Sequence, residues 1–262
     1  MNDDRDRSSI APDHERVEEA GLNALQTQRQ LFYDGWLLRL SPGKAKRARS
    51  VNPHFNSSLP LSEKIAYCES VYEHHALPTL FRLTPMSHPG DLDRVLAGRG
   101  YLAFSETLVQ TLALDRPPDL PDHADGVAIE APETDGFVDA VDELRRSTPQ
   151  HRDAHRERLV NSPLIKRYAV VREGGRIVCA AQVALDGSLV GVFDVITAAD
   201  ARGNGYATLA CASLLSWAWQ HGASSAYLQV TADNTPAIAV YRKFGFATAY
   251  TYHYRGREGE CE

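Results

Sequence analysis

Very little in this chain suggests covalent or metallic staples. Its four cysteines among 262 residues, Cys68, Cys179, Cys211 and Cys261, stand far apart, with no C-x-x-C pair. That spacing excludes a disulfide framework and a zinc site, and it leads us to expect a reducing cytoplasm. His74-His75 has no third ligand at metal spacing, so no metal is expected. Long apolar runs are missing too: none approaches the ~20 residues of a membrane helix. The start, MNDDRDRSSIAPDHERVEE, is polar and acidic, unlike a signal peptide. It reads as a frayed tail, and no membrane partner is expected. Nor is there a basic excess. A net charge of −6 argues against a dedicated nucleic-acid binder.

What is present is an ordinary globular composition, 43% hydrophobic and 24% charged, which excludes a mostly disordered chain. The clearest break is LDRPPDLPDHADG, Leu114 to Gly126, where proline, aspartate and glycine crowd with little to bury. The expected division is a flexible tail over 1–20, a first domain over 21–116, a linker over 117–126 and a second domain over 127–262.

The second part is the easier to read. Phe137, Val138, Val141 and Leu144 form a helical stripe, and a second, very polar helix follows, ended by Pro163. Three β-rich runs come next, separated by Gly174-Gly175 and Asp186-Gly187, both suited to tight hairpins. After the stretch DARGNGYATL come a helix, the strand SAYLQVT, a helix with Pro236 in its first turn, and a last strand placing Tyr250, Tyr252 and Tyr254 on one face. The order α-α-β-β-β-α-β-α-β predicts an α/β (α+β) layered fold with a mixed, mostly antiparallel sheet flanked by helices. The first part echoes it. Residues 67–84 followed by 91–114 read helix, strand, helix, Gly-aromatic, strand, as do 213–231 and 237–254. The first copy lacks the glycine cluster, and Leu96 stands where the second has Tyr241.

Two glycines and an arginine just before a helix make an anion cradle. The first helical N–H groups lack intrahelical partners, the dipole adds positive charge, and Gly203 and Gly205 let the backbone approach closely. The plain alternative is a turn beside a surface arginine. Two other phosphate motifs fail: Gly205 is followed by Tyr206-Ala207 rather than Lys-Ser/Thr, and Thr208 stands where a dinucleotide fingerprint needs its third glycine.

Arg202 to Ala207, RGNGYA, resembles the Q/R-x-x-G-x-G/A loop of the GCN5-related N-acetyltransferases (GNAT superfamily). NTPAIAVYRKFGF resembles that family's second signature, with Asn234, Ala237, Tyr241, Gly245 and Phe246 in register. The element order is also the family's, and the likeness covers roughly residues 125–255. The first part resembles the degenerate first domain of tandem members. The resemblance implies acetyl-coenzyme A as donor and a primary amine, of a small molecule or a peptide, as acceptor. It places the diphosphate on the backbone of Gly203, Asn204, Gly205, Tyr206 and Ala207 beside Arg202. It places the pantetheine arm along Val195, Ile196 and Thr197, with one N–H there bonding the thioester oxygen. Asn234 contacts the coenzyme arm or caps the following helix.

Tyr241 is the candidate general acid, since a phenol with pKa ~10 can protonate a departing thiolate whose pKa is near 8.5. Its alternative is a core tyrosine. Asp194, a carboxylate inside an apolar run, is the first candidate for the base, acting through a water, and otherwise forms a structural ion pair. Glu143 and the pair His151/His155 rank behind it. The basic stretch KAKRAR, Lys44 to Arg49, reads as a solvated turn before it reads as a contact for phosphate or RNA. A homodimer is left open. The other functional class left standing is a coenzyme-binding sensor or assembly module without catalysis.

Overall fold

The computed structural model describes residues 12–123 and 126–259, so Cys261 and the first eleven residues of the expected tail lie outside them. In the first part the order is α1 (His14–Ala24), β1 (Gln30–Tyr33), β2 (Trp36–Arg39), β3 (Val51–Asn52), α2 (Leu61–His74), β4 (Phe81–Leu83), α3 (Leu92–Gly98) and β5 (Leu102–Ala113). The second part runs β6 (Val127–Glu130), α4 (Thr134–Arg145), α5 (Pro149–Val160), β7 (Ile165–Glu173), β8 (Arg176–Asp186), β9 (Leu189–Thr197), α6 (Tyr206–Gln220), β10 (Ser225–Thr231), α7 (Thr235–Arg242) and β11 (Ala247–Gly256). Among the described residues, no helix is long and apolar enough to cross a membrane.

All strands join one eleven-stranded sheet in the order β1-β2-β3-β4-β11-β5-β10-β9-β8-β7-β6. The echo between the two parts is real in three dimensions: α2-β4-α3-β5 repeats α6-β10-α7-β11. Gly100 and Gly245 both turn the chain at positive φ, +83° and +92°, and Tyr101 and Phe246 are buried just after them. The last strands of the two copies are exchanged. β11 pairs with β4 of the first part, and β5 inserts antiparallel between β10 and β11. The segments 21–116 and 127–262 therefore share one sheet, joined by a stretch, Asp115 to His123, that holds no helix or strand.

Period-two alternation decides which face each residue serves. In β7, Ala169 and Val171 pack with Leu209, Cys211 and Leu215 of α6. Tyr168 and Val170 point the other way, to Phe137 and Val141 of α4 and Leu159 of α5. The hairpins fall where expected, with Gly174, Gly175 and Gly187 all at positive φ.

Two expectations need correction. The tail over 1–20 is not all tail, because His14–Ala24 is helix, started by Asp13, whose carboxylate accepts from the Glu15 N–H. Its Val17 and Ala20 are fully buried against Phe193, Tyr227 and the tyrosines of β11. Polar ties fix it there. Arg16 and Asn23 both bond Asp186 at 2.5 and 3.0 Å, and buried Glu18 holds Arg82 and the Tyr250 hydroxyl. The second correction is β6, a short edge strand paired antiparallel to β7 that the expected order omits.

Candidate active site

The sheet opens in the middle. β9 and β10 pair in parallel from Leu189↔Ser225 to Val192↔Leu228 and then part, although β9 continues to Thr197 and β10 to Thr231. The cause is a bulge. Along β8 the register runs Ala180↔Ile196 and then Gln182↔Phe193, so Asp194 and Val195 together oppose one residue. Asp194 takes the left-handed conformation, φ +49°, which aspartate tolerates better than most residues. Beyond the bulge, β9 changes from buried to half-buried, leaving a strand edge over Val195, Ile196 and Thr197 that β10 no longer covers.

α6 begins at this wedge. Gly205 is its N-cap at φ +83°, after Gly203 at φ +86°; no side chain caps the first-turn N–H groups, and no acid lies in that turn. A built Cβ at either glycine meets nothing within 4 Å. These glycines are therefore required by backbone conformation, and the space before them is open. A cavity of about 460 Å³ follows the wedge. Val195, Ile196, Thr197, Arg202, Gly203, Gly205, Tyr206, Ala207, Asn234 and Tyr241 line it, with Pro236 from α7 and Lys243 just past its end. Asn204 is the exception among the residues expected there: its Nδ2 donates to the Ala201 carbonyl, and it faces a neighbouring cleft beside Glu173. Asn234 does cap α7, its Oδ1 accepting from the Ala237 N–H at 3.2 Å, while also lining the groove.

A second cavity, about 470 Å³, lies behind the first and shares Val195, Asn234, Ala237 and Tyr241 with it. Tyr241 thus stands at the junction, 8% exposed, its ring edge-on to Phe246. Burial, with the neighbouring Cys211 and Cys179 thiols, pushes its phenol well above the ordinary tyrosine range, so it keeps its proton.

The second cavity is lined by His151, His155 and Arg158 of α5, Arg145 of α4, and Asp194. The first part of the chain adds Leu25, Lys44, Ala45 and Arg47. The stretch KAKRAR is therefore not a solvated turn; half of its charge faces the cavity. Its loop sits directly on α5, where a Cβ at Gly43 would come within 3.0 Å of Arg158 Nη1 and 3.1 Å of Ala154 Cβ.

Asp194 is fully engaged. Arg145 Nη2 lies 2.7 Å from Oδ1; His155 Nε2 and Gln182 Nε2 lie 3.0 and 2.5 Å from Oδ2. Burial alone would raise its pKa, but Arg145 and His155 outweigh that and hold the carboxyl well below the usual carboxylate range. A carboxylate so stabilised is a poor proton acceptor. The ion-pair reading of Asp194 fits the geometry better than the base reading. Glu143 is exposed and lines neither cavity, whereas both histidines face the second one. Among the described residues, no three His, Cys, Asp or Glu side chains cluster to hold a metal.

A wedge between parting parallel strands, a glycine-capped helix start beside it and a tyrosine at its inner end define the GNAT fold, here in an α+β, doubled form. A solved structure of a GCN5-related N-acetyltransferase from Kribbella flavida superposes with a TM-score of 0.71 over 94% of this chain and 95% of that one, at 18% identity. A tandem GNAT protein from the clavulanic acid biosynthesis pathway gives 0.62 over 74% of this chain and 68% of that one, at 17% identity. Residues 13–255 match the family model described as "Probable histone acetyltransferase Rv0428c C-terminal", and the chain belongs to that family within the GNAT superfamily. It is also 25% identical over 224 residues, 84% of this chain and 89% of that protein, to the uncharacterized N-acetyltransferase YobR of Bacillus subtilis (strain 168).

Proposed function

We propose that this chain transfers an acetyl group from acetyl-coenzyme A directly to a primary amine. The observation that carries this reading is the pair of cavities meeting at Tyr241, one suited to the donor and one to the acceptor. A sensor or assembly module would need only the first.

When bound, acetyl-coenzyme A supplies an acetyl thioester activated toward amines. The N–H groups of Gly203 to Ala207 at the start of α6 hold its diphosphate, with Arg202 and Lys243 adding charge. The uncovered edge of Val195-Ile196-Thr197 pairs with the amide-bearing arm as an added strand. The incoming ammonium loses a proton to His155, which Asp194 orients through Nε2 so that Nδ1 accepts. The N–C bond forms, the C–S bond breaks, Tyr241 delivers its proton to the departing sulfur, and the second proton of the former ammonium returns to the Tyr241 phenolate.

The test is coenzyme A thiol release against a panel of amines. Tyr241→Phe lowers kcat by about 10²-fold, the lower end for a general acid, while coenzyme A affinity stays within about twofold because the lost hydroxyl lies away from the diphosphate cradle. A phenylalanine variant as fast as the parent enzyme removes Tyr241 from the chemistry.

A further inference from the structure

We infer that the acceptor carries an anionic group besides its amine, and that Arg47, Arg158 and Lys44 receive this group in the second cavity. The inference rests on the acetyl-transfer reading for the role of that cavity, and on the cavity's own charges for the chemistry of its occupant.

Four of its lining residues are permanent or near-permanent cations, Lys44, Arg47, Arg145 and Arg158, and Asp194 is the one carboxylate among them. Arg145 already pairs with that carboxylate, 2.7 Å away. Among the described residues, no acid lies within ion-pair distance of Lys44, Arg47 or Arg158. Arg158 is 7% exposed; its Nη1 donates to the Ala154 carbonyl and its Nε has no partner. Arg47 stands over the Phe193 ring, with its own Nη1 buried and unpartnered. Burial pushes Arg158 below the ordinary guanidinium range; the Asp194 carboxylate offsets this in part, and the positive charges of Arg145 and Arg47 add to it. Lys166, half-buried nearby, is pushed down to about 8 by desolvation, with Asp194 opposing and Arg158 contributing. In a chain whose net charge is −6, this is a concentrated positive site.

A buried guanidinium without a counter-ion is expensive, and an incoming anion removes that cost. The planar forks of Arg47 and Arg158 suit a carboxylate or a phosphate, the shared chemistry being a compact oxyanion. A purely cationic acceptor, such as a polyamine or a lysine within a basic tail, meets three unpaired positive charges instead. The cavity volume of about 470 Å³ suits a small molecule.

The test uses the full chain and matched pairs: 5-aminopentanoate against pentylamine, and O-phosphoethanolamine against ethanolamine. In steady-state acetylation, one anionic member exceeds its neutral partner in kcat/KM by about tenfold or more, the factor of a charge-assisted hydrogen bond. Which pair responds identifies the oxyanion. Arg158→Gln and, as the less buried variant, Arg47→Gln each cut that preference about tenfold through KM. Calorimetry on the coenzyme A-saturated protein measures the same four amines without requiring turnover. Binding of an anionic member that Arg47→Gln weakens, without any acetylation, retains this inference and removes the transfer reading. Acetylation with neutral amines equal to or better than their anionic partners retains the transfer reading and overturns the inference, as does absence of both binding and turnover with the anionic pair members.

Discussion

Replacing Asp194 by asparagine removes one negative charge and changes almost nothing in shape. Asparagine accepts the left-handed backbone at this bulge as readily as aspartate does, so the φ of +49° adds no penalty. What is lost is the counter-ion of Arg145, 2.7 Å away, and the charged acceptor that orients His155 Nε2, 3.0 Å away, with the bond from Gln182 left weaker. Breaking a buried pair costs about 3–5 kcal/mol. The Arg145 side chain is 37% exposed and regains water, which trims the loss; about 2–3 kcal/mol is expected after that discount. For a chain of this size that lowers the melting temperature by about 5–10 °C. Alanine costs about 1–2 kcal/mol more, because it resists this backbone.

The pH dependence has a definite sign. The folded carboxyl sits well below the ordinary range, so its stabilisation is present above the unfolded value of about 3.9 and disappears as pH falls toward the folded value. Melting curves of parent and Asp194→Asn should therefore run at a constant separation from about pH 8 to 5 and converge only in stronger acid. Calorimetry or circular dichroism across pH reads this directly. An asparagine variant that melts with the parent at pH 7, or a separation that widens on acidification, refutes the ion-paired account of Asp194.

Two further perturbations address other parts of the molecule. Gly205→Val forces a β-branched residue to φ +83°; it should cost about 1–2 kcal/mol in stability and weaken coenzyme A binding about tenfold by calorimetry. Since nothing stands near a Cβ there, Gly205→Asn should recover most of both, and an equal loss with asparagine would point to crowding instead. Glu18→Gln strands Arg82, its partner at 2.5 Å with both side chains 2% exposed. The melting temperature should fall by about 10 °C, from about 3–5 kcal/mol, and pairing the change with Arg82→Met should restore part of it. Simple additivity of the two changes would argue against the pair.

Strong local patterns made the donor half of the site legible in the sequence. The glycine loop, Asn234 before Pro236 and Tyr241 ahead of Gly245-Phe246 all lie within one β-α-β-α run, and local rules place them. The repeat was legible for the same reason, since α2-β4-α3-β5 repeats the same turn chemistry. Helix α1 was not, because the first half of HERVEEAGLNA is charged and continues the polar start of the chain. It is stable through Asp13 as its cap and through the few residues it presents to β11. β6 was lost in the polar linker composition next to it. The second cavity was the least legible. Lys44 and Arg47 meet Arg145, His155 and Arg158 only because the chain returns after about a hundred residues, and no window of sequence encodes that meeting. Asp194 was found for the right reason, a charge in an apolar strand, but its role depends on partners from α4, α5 and β8 that only the fold supplies.

The exchange of β5 and β11 has a consequence during synthesis. When residues 12–113 have left the ribosome, β4 has β3 beside it but not β11, and β5 has neither β10 nor β11 to pair with. These strands emerge as open edges, and their missing partners follow more than a hundred residues later in the chain. The first part alone should thus be aggregation-prone, and the second alone should lack the strand that closes its sheet. The second cavity, lined from both parts, forms only when the two complete each other.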